Sequence, residues 1–298
     1  MKRIDNISTQ VFIGLSIFAL VAILINNITT NLLITGLGFS FDWLNRPASF
    51  ALAEHTLEYS PSDSYAWALF IGWLNSLKVI IWSLLLATLI GFSVGFARIG
   101  KNILLRILSS AYVALIRQTP LLLQLMFWYF VGFLGIQGTF LTPVKDILNI
   151  SNQGIIFLGV NFSAEFSALF LGLSVFTGAY ISEIVRGGIN AVPRGQWEAF
   201  RSLGLSEDTG LFKVILPQSL PAILPGLTSQ YLNLAKNSTL AIAVGYADIY
   251  AISDTVINQT GRAIEGFILL LVSFLFLNLI ITNIMEFINN LILTRQGR

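Results

Sequence analysis

The stretch WEAFRSLGLSEDTGLFKVILPQ, residues 197–218, separates two long apolar runs and has the pattern of two short helices joined by a glycine. Apolar side chains recur at helical spacing from residue 197 to Leu203, with charged side chains on another face. Gly204 suits the left-handed residue that ends a helix, and Ser206 can cap the next helix. Such a helix could simply lie on lipid, but its mixed charge argues against this, because membrane-surface helices favour a basic polar face. We therefore predict a helix that docks on a soluble partner.

The rest of the chain is dominated by apolar residues. Of its 298 residues, 55% are hydrophobic and 11% are charged, and the mean hydropathy is +0.78. An average soluble domain carries about 25% charged residues. The 17 basic and 15 acidic side chains of this chain cannot cover the surface of a soluble protein of its length. The composition therefore predicts an all-α polytopic membrane protein.

Six apolar runs are long enough to cross about 30 Å of hydrocarbon, which takes about 20 helical residues. The first follows Lys2 and Arg3 as a secretory signal would, but no small-residue cleavage site comes after it, so we predict a retained anchor. We divide the chain into an N-terminal span with an acidic outer loop, residues 1–66, and a core, residues 67–298. The six runs are approximately 11–34, 67–97, 118–140, 166–187, 217–244 and 264–293.

The distribution of Lys and Arg predicts the orientation, because cytoplasmic stretches carry the excess of positive charge. With the N-terminus inside, the inner stretches collect twelve such residues and the outer stretches three. We therefore predict that both termini face the cytoplasm. The inner residues are Lys2, Arg3, Arg98, Lys101, Arg106, Arg117, Arg186, Arg194, Arg201, Lys213, Arg295 and Arg298, and the outer ones are Arg46, Lys145 and Arg262.

The sequence offers little for catalysis. Cysteine is absent and His55 is the single histidine, which excludes thiol nucleophiles, thiolate metal sites and sites of several imidazoles. Gly95, Gly100 and Lys101 have the spacing of a nucleotide-binding loop, but Asn102 stands where Ser or Thr would hold Mg²⁺. No basic block points to nucleic acid. We predict a chain that is not an enzyme and that holds no metal and no cofactor.

The fifth span indicates a route for a solute. Pro217, Pro221 and Pro225 stack on one helical face and free backbone carbonyls that lipid cannot satisfy. Polar side chains follow, including an ammonium, which inside a span usually faces protein or a wet path. The alternative is that Lys236 snorkels or only ties its helix to a neighbour. We predict a substrate path lined by Tyr180, Gln230, Asn233, Lys236, Asn237, Ser238 and Thr239.

The quoted stretch resembles the EAA loop of the integral-membrane subunits of type I ABC importers, a pattern written EAA-x3-G-x9-I-x-L-P. Phe200 replaces the second alanine and Val214 replaces the isoleucine. Residues 106–127, 178–199 and 216–241 look like the polar amino-acid permease branch, which includes histidine and glutamine permeases. The extra N-terminal span and the acidic outer loop look like the subgroup for neutral or general L-amino acids. The matching motif residues are Glu198, Ala199, Gly204, Leu216 and Pro217.

This resemblance implies a MetI-like permease core with an extra N-terminal helix, in the bacterial inner membrane. It implies a second permease chain, which we expect to be a homologue, two cytoplasmic ATPase subunits that bind ATP and Mg²⁺, and a periplasmic binding protein that delivers an L-amino acid. The loop at about 187–216 would couple the chain to the ATPase. By resemblance the coupling residues are Gln196, Trp197, Glu198, Ala199, Arg201, Gly204, Leu216 and Pro217.

The alternative from another class is a self-sufficient secondary transporter driven by an ion gradient. Such a protein would be expected to carry membrane-embedded carboxylates for ion coupling and often an internal repeat. Glu183 lies near a span end, three residues before Arg186, and no repeat is evident. A membrane enzyme is a more distant alternative, because no catalytic set can be assembled.

Overall fold

The computed structural model describes residues 7–34, 38–135, 141–144 and 147–295. The chain is mostly helical, at 78%. Its helices are α1 (Ile7–Ile34), α2 (Tyr65–Ile99), α3 (Ile103–Gln118), α4 (Leu121–Met126), α5 (Ala164–Asn190), α6 (Arg194–Ser202), α7 (Glu207–Gly210), α8 (Leu216–Asn237), α9 (Ile249–Thr260) and α10 (Ala263–Arg295). Short 3₁₀-helices cover Asp42–Asn45 and Ser238–Val244, and π-helical turns cover Phe127–Phe133 and Leu211–Ile215.

Five of the six predicted spans are helices of spanning length and composition. The third is different, because its helix covers only Leu121–Phe133. At about 1.5 Å per residue this helix reaches about 20 Å, less than the hydrocarbon thickness of about 30 Å. The end of the predicted run, Phe140, lies outside the described residues. The five long helices are Thr9–Asn31, Tyr65–Ile99, Ala164–Asn190, Glu207–Val244 and Ala263–Thr294.

A small antiparallel sheet, which the sequence analysis did not predict, precedes α5. Its strands are β1 (Leu141–Val144), β2 (Leu148–Ser151), β3 (Gly154–Phe157) and β4 (Val160–Ser163), in the order β1-β2-β3-β4. Leu158 and Gly159 join β3 to β4 with φ of +49° and +79°. Two positive φ angles are the mark of the two-residue type I′ turn of a hairpin. The described part of this mostly helical chain thus also contains a small four-stranded β-sheet.

Glycines let α2 and α5 approach closely. Gly91 faces Ile181, and a Cβ on Gly95 would lie 2.8 Å from the side chain of Val185. From the opposite side, a Cβ on Gly178 would lie 2.8 Å from Ile90. Small residues four apart allow such backbone contact between membrane helices. The two helices run parallel, since Gly91 meets Ile181 and Gly95 meets Val185, and the pair is the centre against which α3, α4 and α8 pack.

The outer loop, residues 38–64, is packed onto the core. Trp43 and Tyr65 are buried with Ile252 of α9 in one apolar cluster, and the Trp43 and Tyr65 rings meet edge to face at 5.8 Å. The start of the loop is held next to the beginning of α10, where Arg262 donates to the Gly38 carbonyl. The loop and the residues after 67 therefore share apolar packing. The division of the chain at residue 66 stays a prediction.

The N-terminal helix α1 differs from the other long helices because all its described side chains are exposed. Most of them are aliphatic or aromatic, such as Phe12 and Phe18. This much apolar surface on a single helix is unfavourable in water, so the helix is expected to be surrounded by lipid or by another subunit.

Five of the basic residues assigned to the inner side lie in ion-pair clusters at one end of the bundle. Two ion-pair clusters bring them together, one at Glu183 and one at Glu207. Lys2, Arg3, Lys145 and Arg298 of the orientation count lie outside the described residues. The residues brought together are Arg98, Arg117 and Arg186 at Glu183, and Lys101 and Arg201 at Glu207.

Candidate functional site

The predicted helix, glycine stop and second helix are present between α5 and α8. Helix α6 ends at Ser202, and Gly204 has φ +71°, the left-handed conformation. The amide of Gly204 donates to the carbonyl of Arg201 at 2.9 Å, which closes the helix end. Ser206 then caps α7 by accepting from the amide of Thr209 at 3.3 Å. The local sequence signals therefore predicted this turn correctly.

Phe200, which departs from the EAA pattern, holds α6 against α7. Its side chain is 1% exposed, and its ring fills the space where a Cβ of Gly210 would lie. Leu203 was expected on the same apolar face, but it is 77% exposed. This expectation was wrong because α6 stops at Ser202, so Leu203 no longer follows the helical spacing and points away from the core.

Polar contacts add to this attachment. The guanidinium of Arg201 donates to both carboxylate oxygens of Glu207, at 3.1 and 3.3 Å, and Lys101 lies 3.2 Å from the same carboxylate. Arg201 also lies over the rings of Trp197 and Phe200. Exposed ion pairs contribute about 0–1 kcal/mol, whereas burying a phenylalanine contributes about 1.5–3 kcal/mol. Packing of Phe200, more than the ion pair, fixes α6.

The predicted coupling residues divide into an exposed surface and an anchor. The exposed surface faces away from the bundle and mixes a carboxylate, an amide and small or apolar groups. The side-chain amide of Gln218 reaches Gln196 at 3.1 Å across this surface. Half-buried Leu216 and Pro217 begin α8 and anchor the loop. The exposed coupling residues are Gln196, Glu198, Ala199, Arg201 and Gly204, while Trp197 is half-buried.

A cluster of arginines surrounds Glu183, close to one end of α5. Arg98 lies 2.8 Å, Arg186 2.9 Å and Arg117 3.4 Å from its carboxylate. The guanidinium of Arg117 also lies 5.0 Å from the ring centre of Tyr180. The sequence indicates the Glu183–Arg186 pair through its spacing of three. Arg98 and Arg117 come from α2 and α3, so no local signal could have revealed them.

This cluster borders a cavity of about 380 Å³, lined by Arg98, Ser110, Val113, Ala114, Arg117, Gln118, Tyr180 and Glu183. Tyr180 therefore belongs with the arginine cluster, and no described contact joins it to residues 236–239. The predicted path set is thus divided between two places in the fold.

The other predicted path residues lie on α8 and on the 3₁₀-helix that continues it. Asn233 and Lys236 are exposed, while Gln230, Asn237 and Thr239 are half-buried. Ser238 is fully buried and donates to the carbonyl of Ala235 at 2.9 Å. Despite Pro221 and Pro225, α8 is continuous to Asn237. The backbone changes only afterwards, in the 3₁₀-helix that ends at left-handed Gly245.

One face of α8 is exposed along its length and polar in its second half. In lipid, an ammonium and amides on such a face would be costly, so these groups face another protein surface or a wet path. Among the described residues, no three His, Asp or Glu side chains are grouped so that they could hold a metal ion. The exposed face consists of Gln218, Ala222, Pro225, Ser229, Asn233 and Lys236.

Comparison with known proteins gives concordant matches. The chain is 33% identical to YhdX of Escherichia coli (strain K12), over 94% of this chain and 92% of that protein. It is 31% identical to the general L-amino acid transport system permease protein AapQ of Rhizobium johnstonii, over 80% of each. The crystal structure of an amino acid ABC transporter with histidines matches with a TM-score of 0.60 and 26% identity, over 76% of this chain and 94% of that one.

An inward-facing structure of the MetNI methionine ABC transporter shares the fold, with a TM-score of 0.59 at 20% identity. These matches confirm the resemblance to type I ABC importer permeases and the MetI-like fold. A family model described as the inner membrane component of binding-protein-dependent transport systems matches residues 87–293, more than half of the chain. The chain belongs to this family of permease subunits.

Proposed function

We propose that the chain is the transmembrane subunit of an ATP-driven importer of L-amino acids, with a neutral or broad substrate range. Two of the similar proteins support the substrate class: one is named a general L-amino acid permease, and the other is an amino acid ABC transporter. The observation that carries the proposal is the exposed surface of α6. This helix is fixed to α8, the span whose exposed face is polar.

The attachment of α6 explains how a push on it could move the path. Phe200 packs into Gly210, and α7 runs through a single π-helical turn into α8 without a break in the helical backbone. A displacement of α6 is therefore passed to α8, which carries Lys236. An ATPase that closes against α6 would move the polar face of α8 by this route.

The substrate path would run along that face of α8. Its exposed amides and ammonium need a facing surface in the membrane, and a second permease chain, a homologue in our proposal, would supply it. A zwitterionic substrate carries a carboxylate that the ammonium of Lys236 can meet. The alternative, in which Lys236 snorkels or only ties α8 to a neighbour, assigns no substrate contact to this ammonium.

The remaining partners follow from the family. We propose two ATPase subunits on the α6 side, which bind ATP and Mg²⁺ while this chain binds neither, and a periplasmic binding protein on the opposite side. Both termini would face the cytoplasm of a bacterial inner membrane. The ion-pair clusters at Glu183 and Glu207 support this orientation, because they bring five of the basic residues assigned to the inner side to the α6 end.

The arrangement at Glu183 disfavours an ion-coupled secondary transporter. Three guanidinium groups lie within ion-pair distance of this carboxylate. These positive charges already compensate the carboxylate, so it does not need to bind a further cation. The described spans therefore offer no exchangeable ion site at this position.

The docking of α6 can be tested by purification. We expect the native chain, extracted in mild detergent from cells that express its whole transport system, to bring the ATPase with it. Glu198→Arg should lower the ATPase recovered by about tenfold, because it reverses a charge in the centre of the exposed surface. Asp208→Asn, at an exposed position of α7, is the matched control and should leave recovery unchanged. Native chain that is folded but free of ATPase would contradict the proposal.

A further inference from the structure

Asn75 of α2 connects the outer loop with the segment that follows the 3₁₀-helix. It is fully buried, and its side-chain amide donates to two carbonyls, those of Glu54 at 3.0 Å and Ala247 at 2.9 Å. Its side-chain oxygen accepts from the hydroxyl of Thr56 at 2.8 Å. Its backbone carbonyl accepts from the hydroxyl of Tyr246 at 3.1 Å. One side chain thus satisfies groups from two distant parts of the chain.

A second contact fixes the same part of the outer loop. The carboxylate of Glu54 accepts from the ammonium of Lys78 at 2.8 Å and from the hydroxyl of Ser163 at the start of α5. Lys78 lies 4.7 Å from the ring centre of Phe166. The side chains of Lys78 and Glu54 are 24% and 18% exposed. This pair therefore lies at the edge of the core, where a movement of the loop can reach it.

The other side of Asn75 is the outer end of the proposed path. The polar face of α8 leads into the 3₁₀-helix Ser238–Val244, then Gly245 with φ +77°, then buried Tyr246. The amide of Ile249 donates to the Ser76 hydroxyl at 3.0 Å. A 3₁₀-helix has weaker internal hydrogen bonds than an α-helix and is a common hinge. The residues that follow this 3₁₀-helix, 246–249, are held in place by their hydrogen bonds with Asn75 and Ser76.

These contacts make the outer loop and the outer end of the path energetically dependent on each other. If residues 54–56 withdraw, the buried side-chain oxygen of Asn75 loses its donor Thr56, and its amide loses one of its two acceptors, the carbonyl of Glu54. A buried unsatisfied polar group costs about 1–3 kcal/mol. Relaxation of Asn75 would then weaken its bond to Ala247. A change at the outer loop would therefore alter the segment that follows the 3₁₀-helix through Asn75.

We propose that Asn75 is a positioning residue for transport, which sets the outer end of the path according to the position of the outer loop. This inference rests on the proposed function for its meaning in transport, since the path itself is part of that proposal. The loop lies on the outer surface, so a partner that displaces it would move residues 245–248 through Asn75. Asn75 itself touches no substrate.

The first test measures transport for each assembled complex. Asn75→Leu keeps the shape but removes the hydrogen bonds, and Glu54→Gln removes the charge at the loop side. Both should lower uptake per complex by about threefold or more, while basal ATP hydrolysis stays unchanged. Glu58→Gln, on the same loop, is the matched control. A purely structural role would lower only the amount of complex, and normal uptake per complex in both variants would overturn the inference.

The second test does not depend on transport. Ile242 lies on the 3₁₀-helix and is 44% exposed, and the native chain contains no cysteine. Ile242→Cys gives a site for a membrane-impermeant maleimide added from outside. We expect Asn75→Leu and Glu54→Gln to change its labelling rate by about threefold or more, and Glu58→Gln to leave it unchanged. Equal rates in all variants would overturn the inference, even if uptake by the native complex confirms the proposed function.

Discussion

At the scale of single residues, Gly204 carries a constraint that the sequence predicted and the structure explains. No atom outside its chain neighbours lies within 4 Å of where its Cβ would be, so a side chain there would have space. The constraint is the backbone, since φ is +71°. A non-glycine residue in this conformation costs on the order of 1–2 kcal/mol.

We therefore expect Gly204→Val to move α6, abolish uptake and uncouple ATP hydrolysis while the chain remains in the membrane. Gly187→Val is the matched control, because Gly187 also has open space but no positive φ. Uptake and hydrolysis by the reconstituted complex measure the effect. Normal uptake by Gly204→Val would show that the left-handed turn is unimportant.

The burial of Asp248 makes the free energy of unfolding depend on pH. It lies between the 3₁₀-helix and α9 and accepts from the amide of Ala251 at 2.8 Å. Burial raises the pKa of Asp248 from 3.8 to about 7. Between these values the folded chain keeps a proton that the unfolded chain has lost, so the free energy of unfolding falls as pH rises through this range. Above pH 7 this contribution is constant.

Asp248→Asn preserves the helix cap and removes the titration. We expect the variant to melt at a higher temperature than the native chain at about pH 8, and at the same temperature at about pH 4. Thermal unfolding in detergent across this range measures the difference. If the difference in melting temperature between variant and native chain instead grew as the pH fell, the folded chain would favour the ionised form of Asp248, which would contradict the prediction.

At the scale of elements, the packing of α6 on α7 can be tested by exchanging volumes. Gly210→Ala should push the ring of Phe200 outward and reduce ATPase binding and uptake. Phe200→Ala should also reduce them, because it empties the space under α6. The double variant Gly210→Ala/Phe200→Ala should recover part of the loss, since the two changes share one space. Losses that simply add would show that the two residues act independently.

The sequence could predict elements whose signals are local. The α6 turn was predicted from Gly204 and Ser206, and the long spans from their apolar length. The β3–β4 hairpin was missed, although Gly159 marked its turn, because a short apolar run does not distinguish strand from helix. The end of α6 was predicted too late, so Leu203 was placed on the wrong face.

At the scale of the whole molecule, two clusters of polar residues are built from positions that lie far apart in the sequence. Glu183 collects Arg98 and Arg117 from other helices, and Asn75 joins residues 54–56 to 246–247. Such contacts between distant residues cannot be predicted from residue spacing in the sequence. The sequence could therefore predict the coupling surface, which is one continuous stretch, but not the arginine cluster or the Asn75 centre.

The orientation of the molecule is testable by labelling, because the native chain has no cysteine. Ser62 and Ser202 are both exposed, one on the outer loop and one at the end of α6. We expect an impermeant maleimide to label Ser62→Cys from outside and Ser202→Cys only after the membrane is opened. Labelling of both from the same side would refute the predicted orientation.

The central claim, that an ATPase drives an L-amino acid along this chain, is tested most directly by the energy source of uptake. The complex is reconstituted in proteoliposomes with its binding protein, and entry of radiolabelled L-amino acids is measured. We predict uptake when ATP and Mg²⁺ are present on the α6 side, and none when only a proton or sodium gradient is imposed. Uptake driven by a gradient without ATP would contradict the account.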